Sequence, residues 1–572
     1  METPTNLTVD FLVIGTGAAG LTAAITARKS GLDVLIVEKN DVYGGTSAAS
    51  GGMIWVPGNK HSAKLGEKIG VSDNQDKARD YIIEEAGNYA NIPRIDNYLK
   101  YGPEMVDYME RESEVKFFAL PYPDYHGWSA HASRVRSLQA MDYPAGSLGD
   151  HVAKMRNFLP QTLFLGFAIG SSVEMKLFMS AGRSVKSLAF VAKRLTSHFR
   201  DVLKYGSGQQ MVRGRALIGR LAKTVFDLNI PLWLSSPAAE LIEENGQVTG
   251  AVIDTPQGRV HVTATKGVLL ASGGYPGDRK RRSATYPPVA DAANFRGIWC
   301  PTNTGDGVRM AEAVGGTFNG EVSTPAAWIP VSLMPGKEGI DGVWPHFVDR
   351  NKPGFIAVLS NGKRFTSEAG PYTDFVPALI QACEKDKEAF CWLISDQKGI
   401  NSYGMGFSRP SPIPRGHYIK NGYIKTGKTL RDLASKIGVN AANLEETVHT
   451  FNTHAKDGKD PEFHRGENLY DVYNGDDEHK PNPCIGPLGD GPYYAVKIVP
   501  GDLGTFAGIK ADEFSRVLRS DGTPITGLYT AGNDQASVWG GAYPGGGSMI
   551  GPGMTFAYIA ARHAAGALPE AR

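Results

Sequence analysis

The chain contains 572 residues, of which 41% are hydrophobic and 21% are charged, a composition typical of globular proteins with two to four domains. Lys and Arg number 60 against 59 Asp and Glu, so no excess of positive charge points to nucleic acid as a partner. The amino terminus lacks the basic and apolar segments of a secretory signal, and no apolar run reaches the roughly 20 residues that cross a bilayer. The cysteines Cys300, Cys383, Cys391 and Cys484 form no CxxC pair. We therefore expect a cytoplasmic protein with reduced thiols and no bound metal.

The first motif lies near the amino terminus. A short apolar run at residues 10–14 is followed by Gly15-Thr-Gly17-Ala-Ala-Gly20, a small-residue helix pattern and a second apolar run that ends at Glu38. The glycines allow a tight turn, close approach of a pyrophosphate and close packing of helix on strand, while Glu38 accepts hydrogen bonds from a ribose. This order predicts a dinucleotide site, with the candidate residues Gly15, Gly17, Ala18, Ala19, Gly20, Glu38 and Lys39.

A Gly/Ser stretch, GGTSAASGG at residues 44–52, follows directly. It is too polar for a core strand and suits backbone and hydroxyl contacts to a cofactor, although a flexible loop is the alternative interpretation. The candidate residues here are Gly45, Thr46, Ser47, Ser50, Gly51 and Gly52.

The carboxyl-terminal region also has a cofactor-binding pattern. Residues 527–533 read as a buried strand that ends in a polar turn, and residues 548–566 read as a helix with a glycine-rich start. A helix amino terminus that faces a bound cofactor would stabilise negative charge on that cofactor.

Glu-Lys followed by GGTSxxSGG resembles the flavoproteins of the succinate dehydrogenase/fumarate reductase superfamily. Further similar motifs follow in order: GVLLASGGYPGD (267–278), NTGDG (303–307), VLSNGKRFTSE (358–368), DLGTFAG (502–508) and GLYTAGN (527–533). The resemblance implies an α/β fold with a Rossmann-like FAD-binding domain and an inserted α+β capping domain. Because the Gly/Ser stretch contains no His, we expect non-covalent FAD. The resemblance adds the cofactor-binding candidates Ala271, Ser272, Gly273, Asp306, Gly532, Asn533, Gly547, Met549 and Ile550.

The resemblance also predicts the domain boundaries. Residues 1–325 form the first part of the FAD-binding domain, 326–500 form the catalytic or capping domain, and 501–572 return to the FAD-binding domain. Residues 145–208 interrupt the flavoprotein pattern and are interpreted as an insertion. The clearest helix of the capping domain is expected near 441–456.

Two positions bear on the substrate. Dicarboxylate reductases of this superfamily carry a His and an Arg that hold a substrate carboxylate, and here Trp539 and Tyr543 stand at the matching positions. An indole and a neutral phenol do not hold a dianion in a desolvated site. The substrate is therefore expected to be neutral and largely apolar.

Residues 543–547, YPGGG, resemble the YPGxG motif of the 3-ketosteroid 1-dehydrogenases, and GRALIGRL (214–221), PDY (123–125) and GPYTDF (370–375) are similar to other segments of that family. The resemblance implies the active-site residues Tyr125, Tyr372, Tyr543 and the amide of Gly547. The alternative is that these are ordinary core tyrosines among the 23 in the chain.

The implied reaction is FAD-dependent 1,2-desaturation of a 3-ketosteroid, from the 3-oxo-4-ene to the 1,4-diene-3-one, with an external electron acceptor such as a quinone. Tyr543 and Gly547 would stabilise an enolate, Tyr372 would take the C2 proton with Tyr125 hydrogen-bonded to it, and flavin N5 would receive the C1 hydride. The alternatives are 4,5-desaturation of saturated 3-ketosteroids, a flavin reductase of apolar enones and a non-enzymatic FAD protein at a membrane.

The insertion carries an amphipathic pattern. Residues 157–173 are uncharged but contain Pro160 and two glycines, which disfavours a spanning helix. A single helix over 177–203 would present one apolar face (Leu177, Ala181, Val185, Leu188, Val191, Leu195, Phe199 and Leu203) and an opposite basic face (Lys176, Arg183, Lys186, Lys193, Arg194, Arg200 and Lys204). This pattern predicts peripheral contact with the inner face of a membrane through residues 157–204. The alternative is a helix packed on its own domain with a solvated basic side.

Overall fold

The computed structural model describes residues 6–163, 166–179, 181, 184–206, 208–291 and 295–568. The strands of these residues, in chain order, are β1 Asn6–Ile14, β2 Val34–Val37, β3 Met53–Trp55, β4 Phe117–Ala119, β5 Ser137–Ala140, β6 Tyr143–Pro144, β7 Gln210–Met211, β8 Leu232–Trp233, β9 Ala238–Glu244, β10 Gln247–Thr255, β11 Gly258–Leu270, β12 Phe318–Asn319, β13 Ala326–Leu333, β14 Val343–Pro345, β15 Phe355–Val358, β16 Cys391–Asp396, β17 Lys425–Gly427, β18 Tyr493–Thr505, β19 Gly508–Ile509, β20 Arg516–Leu518 and β21 Pro524–Thr530.

The α-helices, named in the same way, are α1 Ala18–Lys29, α2 Gly45–Ala49, α3 Lys60–Ile69, α4 Gln75–Ala86, α5 Ile92–Glu112, α6 Ser172–Met179, α7 Val185–Tyr205, α8 Arg213–Asp227, α9 Arg279–Thr285, α10 Asp306–Ala313, α11 Tyr372–Ala382, α12 Gln397–Tyr403, α13 Gly416–Lys420, α14 Leu430–Ile437, α15 Ala441–Ala455, α16 Leu469–Asn474 and α17 Ile550–Ala564.

The larger sheet, the dinucleotide sheet, has the strand order β20-β21-β11-β1-β2-β8, with β10 paired to β11 and β9 paired to β10. Strands β21, β11, β1, β2 and β8 run parallel to one another, whereas β20, β10 and β9 form antiparallel pairs. The apolar runs of β1 and β2 are buried on both faces, as strands in a helix-covered parallel sheet must be. Helices α1 and α17 pack against each other over this sheet. The α/β, Rossmann-like prediction is therefore confirmed.

The second sheet, the cap sheet, is antiparallel with the order β14-β13-β18-β16-β15, and β17 also pairs with β18. Helix α11 packs against β13, and α14 packs against α15 and β18. Strand β18 crosses residue 500, where the sequence places the boundary of the capping domain. The predicted helices near 441–456 and 548–566 are confirmed as α15 and α17.

The insertion differs from its prediction. The single helix expected over 177–203 is wrong, because α6 ends at Met179 and a separate helix, α7, begins at Val185. The physical reason lies in the local sequence, because the Ser184 side chain accepts a hydrogen bond from the Ser187 N–H and caps the start of a new helix. The predicted basic residue Arg183 lies outside the described residues.

Candidate active site

The turn after β1 forms the first part of the candidate cofactor cradle. Gly15 has a φ of +113°, and a Cβ there would lie 2.2 Å from the carbonyl oxygen of Ala271. A Cβ at Gly20 would lie 2.0 Å from the Gly15 carbonyl oxygen. Both close approaches require glycine. Gly17 is the N-cap of α1 and supplies no side-chain cap, so the amide groups of Ala18 and Ala19 lie at a helix amino terminus, which favours an anion such as a pyrophosphate.

The predicted acidic residue closes this turn. Glu38 is buried, and its carboxylate accepts hydrogen bonds from the backbone N–H of Thr16 at 3.2 Å and of Asn40 at 3.0 Å. The ammonium of Lys39 donates to Thr304 at 2.9 Å and pairs with Asp306. The structure thus brings together three predicted residues, Glu38, Lys39 and Asp306, although they come from motifs far apart in the chain.

The Gly/Ser stretch lies beside the start of α1. Ser47 Oγ accepts a hydrogen bond from the Ala18 N–H at 3.2 Å, and Thr46 Oγ1 accepts one from the Cys300 N–H at 2.9 Å. Part of the stretch is short helix rather than loop, since α2 spans Gly45–Ala49. Ser50 Oγ donates to the Ser47 carbonyl at 2.7 Å and accepts from the Gly52 N–H at 3.1 Å.

The end of the stretch leaves room for a ligand. A Cβ at Gly51 would meet nothing within 4 Å, whereas Gly52 lies against the backbone of Arg213 at the start of α8. The stretch is therefore held on one side by α8 and open on the other.

The loop after β11 meets the end of β21 through a residue that the sequence analysis did not select. Buried Asp534 accepts hydrogen bonds from the backbone N–H of Ser272, from Ser272 Oγ at 3.0 Å and from the Gly274 N–H at 2.9 Å. Burial raises the pKa of the Asp534 carboxyl above its usual value. Asp534 directly follows the GLYTAGN motif, and this adjacency was the available signal.

The remaining candidates surround the same space. The Ala271 N–H donates to the Ile14 carbonyl at 2.9 Å, and a Cβ at Gly273 would lie 2.6 Å from Asn303. A Cβ at Gly532 would lie 3.5 Å from the Ala19 side chain.

Near the start of α17, Asn533 and the Met549 side chain both approach Gly504 of β18, and Ile550 is the first residue of the helix. The predicted cofactor residues therefore converge on one region where the carboxyl ends of β1, β11 and β21 meet the amino termini of α1 and α17.

These features fit FAD. Glycines stand where backbone must approach backbone, the N-cap residue of α1 is a glycine without a capping side chain, and space is open at Gly51. Backbone amides at a helix amino terminus suit a pyrophosphate, and the amino terminus of α17 suits the electron-rich edge of a reduced flavin.

The three predicted tyrosines meet in a second, apolar region. Tyr125 comes from the segment between β4 and β5, Tyr372 is the first residue of α11, and Tyr543 lies in the loop before α17. The Tyr125 hydroxyl donates to the Tyr372 hydroxyl at 2.8 Å. The Tyr543 ring stacks on Tyr125 with centroids 5.3 Å apart and lies 5.9 Å from Tyr372. All three side chains are buried.

Two further tyrosines contact this group. The Tyr470 ring centroid lies 4.8 Å from that of Tyr125, and Tyr122 lies 6.3 Å from Tyr125 and 6.2 Å from Tyr470. Tyr122 directly precedes the PDY segment, so its position could have been weighed from sequence. Tyr470 lies outside every motif and carried no such signal.

The tyrosines belong to an apolar cluster that we call the tyrosine cluster. Its buried members are Tyr125, Leu159, Ile298, Ala327, Ile329, Val331, Val343, Tyr372, Tyr470, Val499, Phe506 and Tyr543. Five of these twelve residues come from β13, β14 and β18 of the cap sheet. Leu159 comes from the insertion, whose neighbouring Gln161 donates to the carbonyl oxygens of Ile340 at 2.9 Å and Val343 at 2.7 Å. The insertion therefore supplies part of the wall of this cluster.

Gly547 is held beside both regions. It has a φ of +107°, and a Cβ there would lie 2.5 Å from the backbone of Ile54. The strand that Gly547 touches, β3, directly follows the Gly/Ser stretch. Gly547 accepts a hydrogen bond from the Trp55 N–H at 3.2 Å, and within the described residues its own N–H donates to no partner. It is thus a free donor between the flavin cradle and the tyrosines.

Trp539 does not belong to the tyrosine cluster. It is buried in the core of the dinucleotide half, where its indole N–H donates to the Ser548 carbonyl at 2.6 Å and its ring packs edge-on against Trp55 and Tyr98. Its role is to support the turn at residues 543–548.

The electrostatics of the tyrosine cluster oppose charge. Burial raises the pKa of Tyr372 and of Tyr125 well above the ordinary value of a phenol, and it raises the pKa of Tyr543 to about 12. These raised pKa values keep Tyr125, Tyr372 and Tyr543 as neutral phenols near pH 7. An arrangement of neutral donors in an apolar space suits a neutral carbonyl compound.

Residues 10–550 match the family model described as "FAD binding domain". The chain therefore belongs to this family of FAD-binding proteins, and it is an FAD-dependent oxidoreductase.

Within the family, several full-length relatives are named as dehydrogenases of ring ketones. The chain is 38% identical to the 4-oxocyclohex-2-ene-1-carboxylate 5-dehydrogenase of Sinomonas cyclohexanicum, over 97% of this chain and 93% of that protein. It is 34% identical to the 3-oxosteroid 1-dehydrogenase of Mycobacterium tuberculosis, over 97% and 98%. It is also similar to the crystal structure of 3-ketosteroid delta1-dehydrogenase from Sterolibacterium denitrificans in complex with 1,4-androstadiene-3,17-dione, with 36% identity, a TM-score of 0.91 and coverage of 98% of this chain and 100% of that one.

No helix of the described residues is both long enough and apolar enough to cross a membrane.

Proposed function

We propose that the protein desaturates 3-ketosteroids between C1 and C2, converting a 3-oxo-4-ene steroid to the 1,4-diene-3-one. The observation that carries the proposal is the hydrogen-bonded pair Tyr125–Tyr372, 2.8 Å apart, with Tyr543 stacked on it in an apolar cluster. Two full-length relatives named for 3-ketosteroid dehydrogenation support it.

The reaction removes a weakly acidic proton from C2 and a hydride from C1. The Tyr543 hydroxyl and the free Gly547 N–H donate to the C3 carbonyl and stabilise the enolate that forms as the proton leaves. Tyr372 takes the C2 proton as a phenolate and becomes a neutral phenol, and the hydrogen bond from Tyr125 stabilises the phenolate before the transfer. FAD, when bound, accepts the C1 hydride.

Anaerobic mixing of the flavin-loaded enzyme with a 3-oxo-4-ene steroid tests the proposal. We expect the flavin absorbance to bleach and a 1,4-diene-3-one to appear. Bleaching with a saturated 3-ketone alone, with a 4-ene as product, would reassign the enzyme to 4,5-desaturation. A flavin that no ketosteroid reduces, but whose chemically reduced form is oxidised by the 1,4-diene-3-one, would instead favour an enone reductase.

A second candidate substrate is a 4-oxocyclohexene carboxylate, because a relative that acts on one is 38% identical to this chain. The three buried tyrosines disfavour it, since neutral phenols in an apolar site do not compensate the charge of a carboxylate. A comparison of kcat/KM for the steroid and for 4-oxocyclohex-2-ene-1-carboxylate separates the two. We expect kcat/KM for the steroid to be at least about 100-fold higher, because the carboxylate of the competing substrate would be buried without a partner. A higher kcat/KM for the carboxylate would contradict the proposal.

We propose further that α7 lies in the plane of an anionic membrane surface. Four of its large apolar side chains face solvent: Val185, Leu188, Phe199 and Leu203, with Leu203 90% exposed. At about 100° per residue they fall within roughly 60° of one another. Half-buried Val191 and Leu195 face the protein instead, so only part of the predicted apolar face is available.

The exposed cations of α7 complement this surface. Lys186, Lys193, Arg200 and Lys204 lie beside the apolar stripe, within about 40° of one another, rather than opposite it as the sequence predicted. The other two described cations of the predicted basic face are paired within the protein, Arg194 with Glu174 and Lys176 with Asp477. An apolar stripe bordered by cations matches acyl chains bordered by phosphate groups.

Cosedimentation with phosphatidylglycerol vesicles tests this surface. Leu203→Asp removes an apolar group that makes little contact with the protein, and we expect it to weaken binding by about tenfold or more, since burying such a side chain is worth about 2 kcal/mol. The matched control, Ile92→Asp, alters a partly exposed residue on α5 and should leave binding unchanged. Equal sedimentation of all three proteins would contradict the proposal.

Contact with the membrane also makes a lipid-soluble quinone the accessible electron acceptor at its inner face. We expect a menaquinone analogue in vesicles to reoxidise the steroid-reduced wild-type enzyme faster than it reoxidises the steroid-reduced Leu203→Asp variant. Equal rates of reoxidation for the two proteins would contradict the proposal that the membrane supplies the electron acceptor.

A further inference from the structure

A charged bridge runs beside the tyrosine pair. His126 follows Tyr125, and its Nδ1 contacts the carboxylate of Glu85 on α4. Its Nε2 lies 2.9 Å from Asp374 Oδ2, and Asp374 stands two residues after Tyr372 in the first turn of α11. Burial alone would lower the pKa of His126, but the two carboxylates outweigh it and raise this pKa to about 10. The ring is therefore doubly protonated at neutral pH and donates to both carboxylates.

The bridge parallels the hydrogen bond between the two tyrosines. Tyr125 and Tyr372 are 247 residues apart in sequence, and His126 and Asp374 are 248 apart. Both links join the same segment of the dinucleotide half to the same turn of α11. A second support holds the segment: the His126 N–H donates to the Tyr81 hydroxyl at 3.2 Å, and the Tyr125 N–H donates to the Pro544 carbonyl at 2.9 Å.

We propose that His126 is a positioning residue: its bridge to Asp374 fixes the hydrogen bond between Tyr125 and Tyr372, and so sets the rate of proton abstraction rather than the affinity for steroid. The tyrosines touch the substrate in the proposed reaction, and His126 acts through them. A hydroxyl pair that is free to separate by about 1 Å loses on the order of 100-fold in rate, because proton transfer depends steeply on distance and angle. This inference rests on the proposed function for its kinetic readout.

Three variants distinguish positioning from general stability. His126→Ala removes the bridge. Asp374→Asn weakens only the contact of His126 with α11. Glu85→Gln weakens only its contact with α4 and serves as the matched control. We expect flavin reduction to slow about 100-fold in His126→Ala and by a comparable factor in Asp374→Asn, but by less than about tenfold in Glu85→Gln. The double variant of His126 and Asp374 should be no slower than either single variant, because both act on one link.

Two readouts separate this effect from a loss of folding. The dissociation constant for the 1,4-diene-3-one, measured by perturbation of the flavin spectrum, should change by less than about threefold, whereas the kinetic isotope effect of deuterium at C2 should rise as proton abstraction becomes limiting. Flavin reduction by His126→Ala within about threefold of the wild-type rate would overturn the inference. So would additive losses in the double variant, or a parallel loss of steroid affinity.

The failure of the proposed function would be seen separately. If the wild-type flavin is not reduced by any ketosteroid, the function fails, and nitrogen-15 spectra of the His126 ring still test the bridge. Both ring nitrogens should be protonated at pH 8 in the wild type, and Asp374→Asn should lower the pKa of the ring. A neutral ring at pH 8 would contradict the bridge itself.

Discussion

Tyr372 has to accept a proton in a place where burial opposes its charge. Burial raises the pKa of this phenol well above its usual value, and the neighbouring phenols Tyr543 and Tyr470 raise it further. Only the hydrogen bond from Tyr125 acts in the opposite direction. Before substrate binds, almost all of the enzyme at neutral pH therefore carries a neutral Tyr372.

The pH dependence of flavin reduction follows from this shift. The raised pKa favours the neutral phenol, so the fraction of phenolate rises about tenfold per pH unit at all pH values below that pKa. We expect the rate of flavin reduction by steroid to rise with pH from 6 to 9 without a plateau, as measured by stopped-flow absorbance. A plateau that begins below pH 8 would show that Tyr372 is not the limiting base.

Removing the base tests the same residue directly. Tyr372→Phe should slow flavin reduction by about 10²- to 10⁴-fold, the usual contribution of a general base, with little change in steroid affinity. Tyr205→Phe, which alters an exposed tyrosine on α7, is the matched control. A normal rate for Tyr372→Phe would assign the base elsewhere.

Tyr543 has a different role and should show a different signature. Its pKa of about 12 keeps the hydroxyl protonated throughout the working pH range, so it remains a donor to the carbonyl. Tyr543→Phe should lower the rate by about 10²- to 10³-fold, as expected for the loss of one donor to an enolate oxygen, and should leave the slope of the pH profile unchanged. A changed slope would indicate that Tyr543 itself titrates during the reaction.

At the level of elements, the flavin cradle depends on the meeting of β11 and β21. Asp534 ties the loop after β11 to the end of β21 by accepting backbone hydrogen bonds from Ser272 and Gly274. These contacts fix the positions of several candidate cofactor residues at once.

Asp534→Asn tests this tie. The amide keeps the size of the side chain but presents only one acceptor oxygen, and a hydrogen bond to a charged group is worth about 1.5–3 kcal/mol. We expect FAD affinity, measured by titration of the apoprotein, to fall at least about tenfold. Asp521→Asn, which alters an exposed turn residue, should bind FAD normally; equal affinity in both variants would remove Asp534 from the cradle.

The sequence predicted some elements well and others poorly, for identifiable reasons. The glycine turn, β1, α1 and β2 follow from local pattern, because each is specified by residues within one short stretch. Helix α7 shows the limit: its periodicity gave an apolar face, but which apolar residues are covered depends on contacts that are remote in sequence. The interruption before Val185 was visible in Ser184, although it was outweighed by the regular spacing of apolar residues.

At the level of the whole molecule, the candidate active site exists because two sheets meet. The dinucleotide half supplies the cradle and Gly547, and the cap sheet supplies five of the twelve buried members of the tyrosine cluster. The family resemblance predicted Tyr125, Tyr372 and Tyr543, together with a hydrogen bond between Tyr125 and Tyr372, which the structure shows at 2.8 Å. The added rings of Tyr122 and Tyr470, and Leu159 of the insertion, required the folded chain, since no short-range pattern encodes contacts between residues so far apart.

The central claim is that this site removes hydrogen from C1 and C2 of a 3-ketosteroid. The most direct test is a single anaerobic turnover with a saturated 3-ketosteroid that carries two deuterium atoms at C1, followed by mass spectrometry of the product. Hydrogen at C1 does not exchange with water by enolisation, so its fate reports only the enzymatic step. We predict a product with one deuterium and a double bond between C1 and C2; a product that keeps both deuterium atoms and carries its double bond between C4 and C5 would contradict the account.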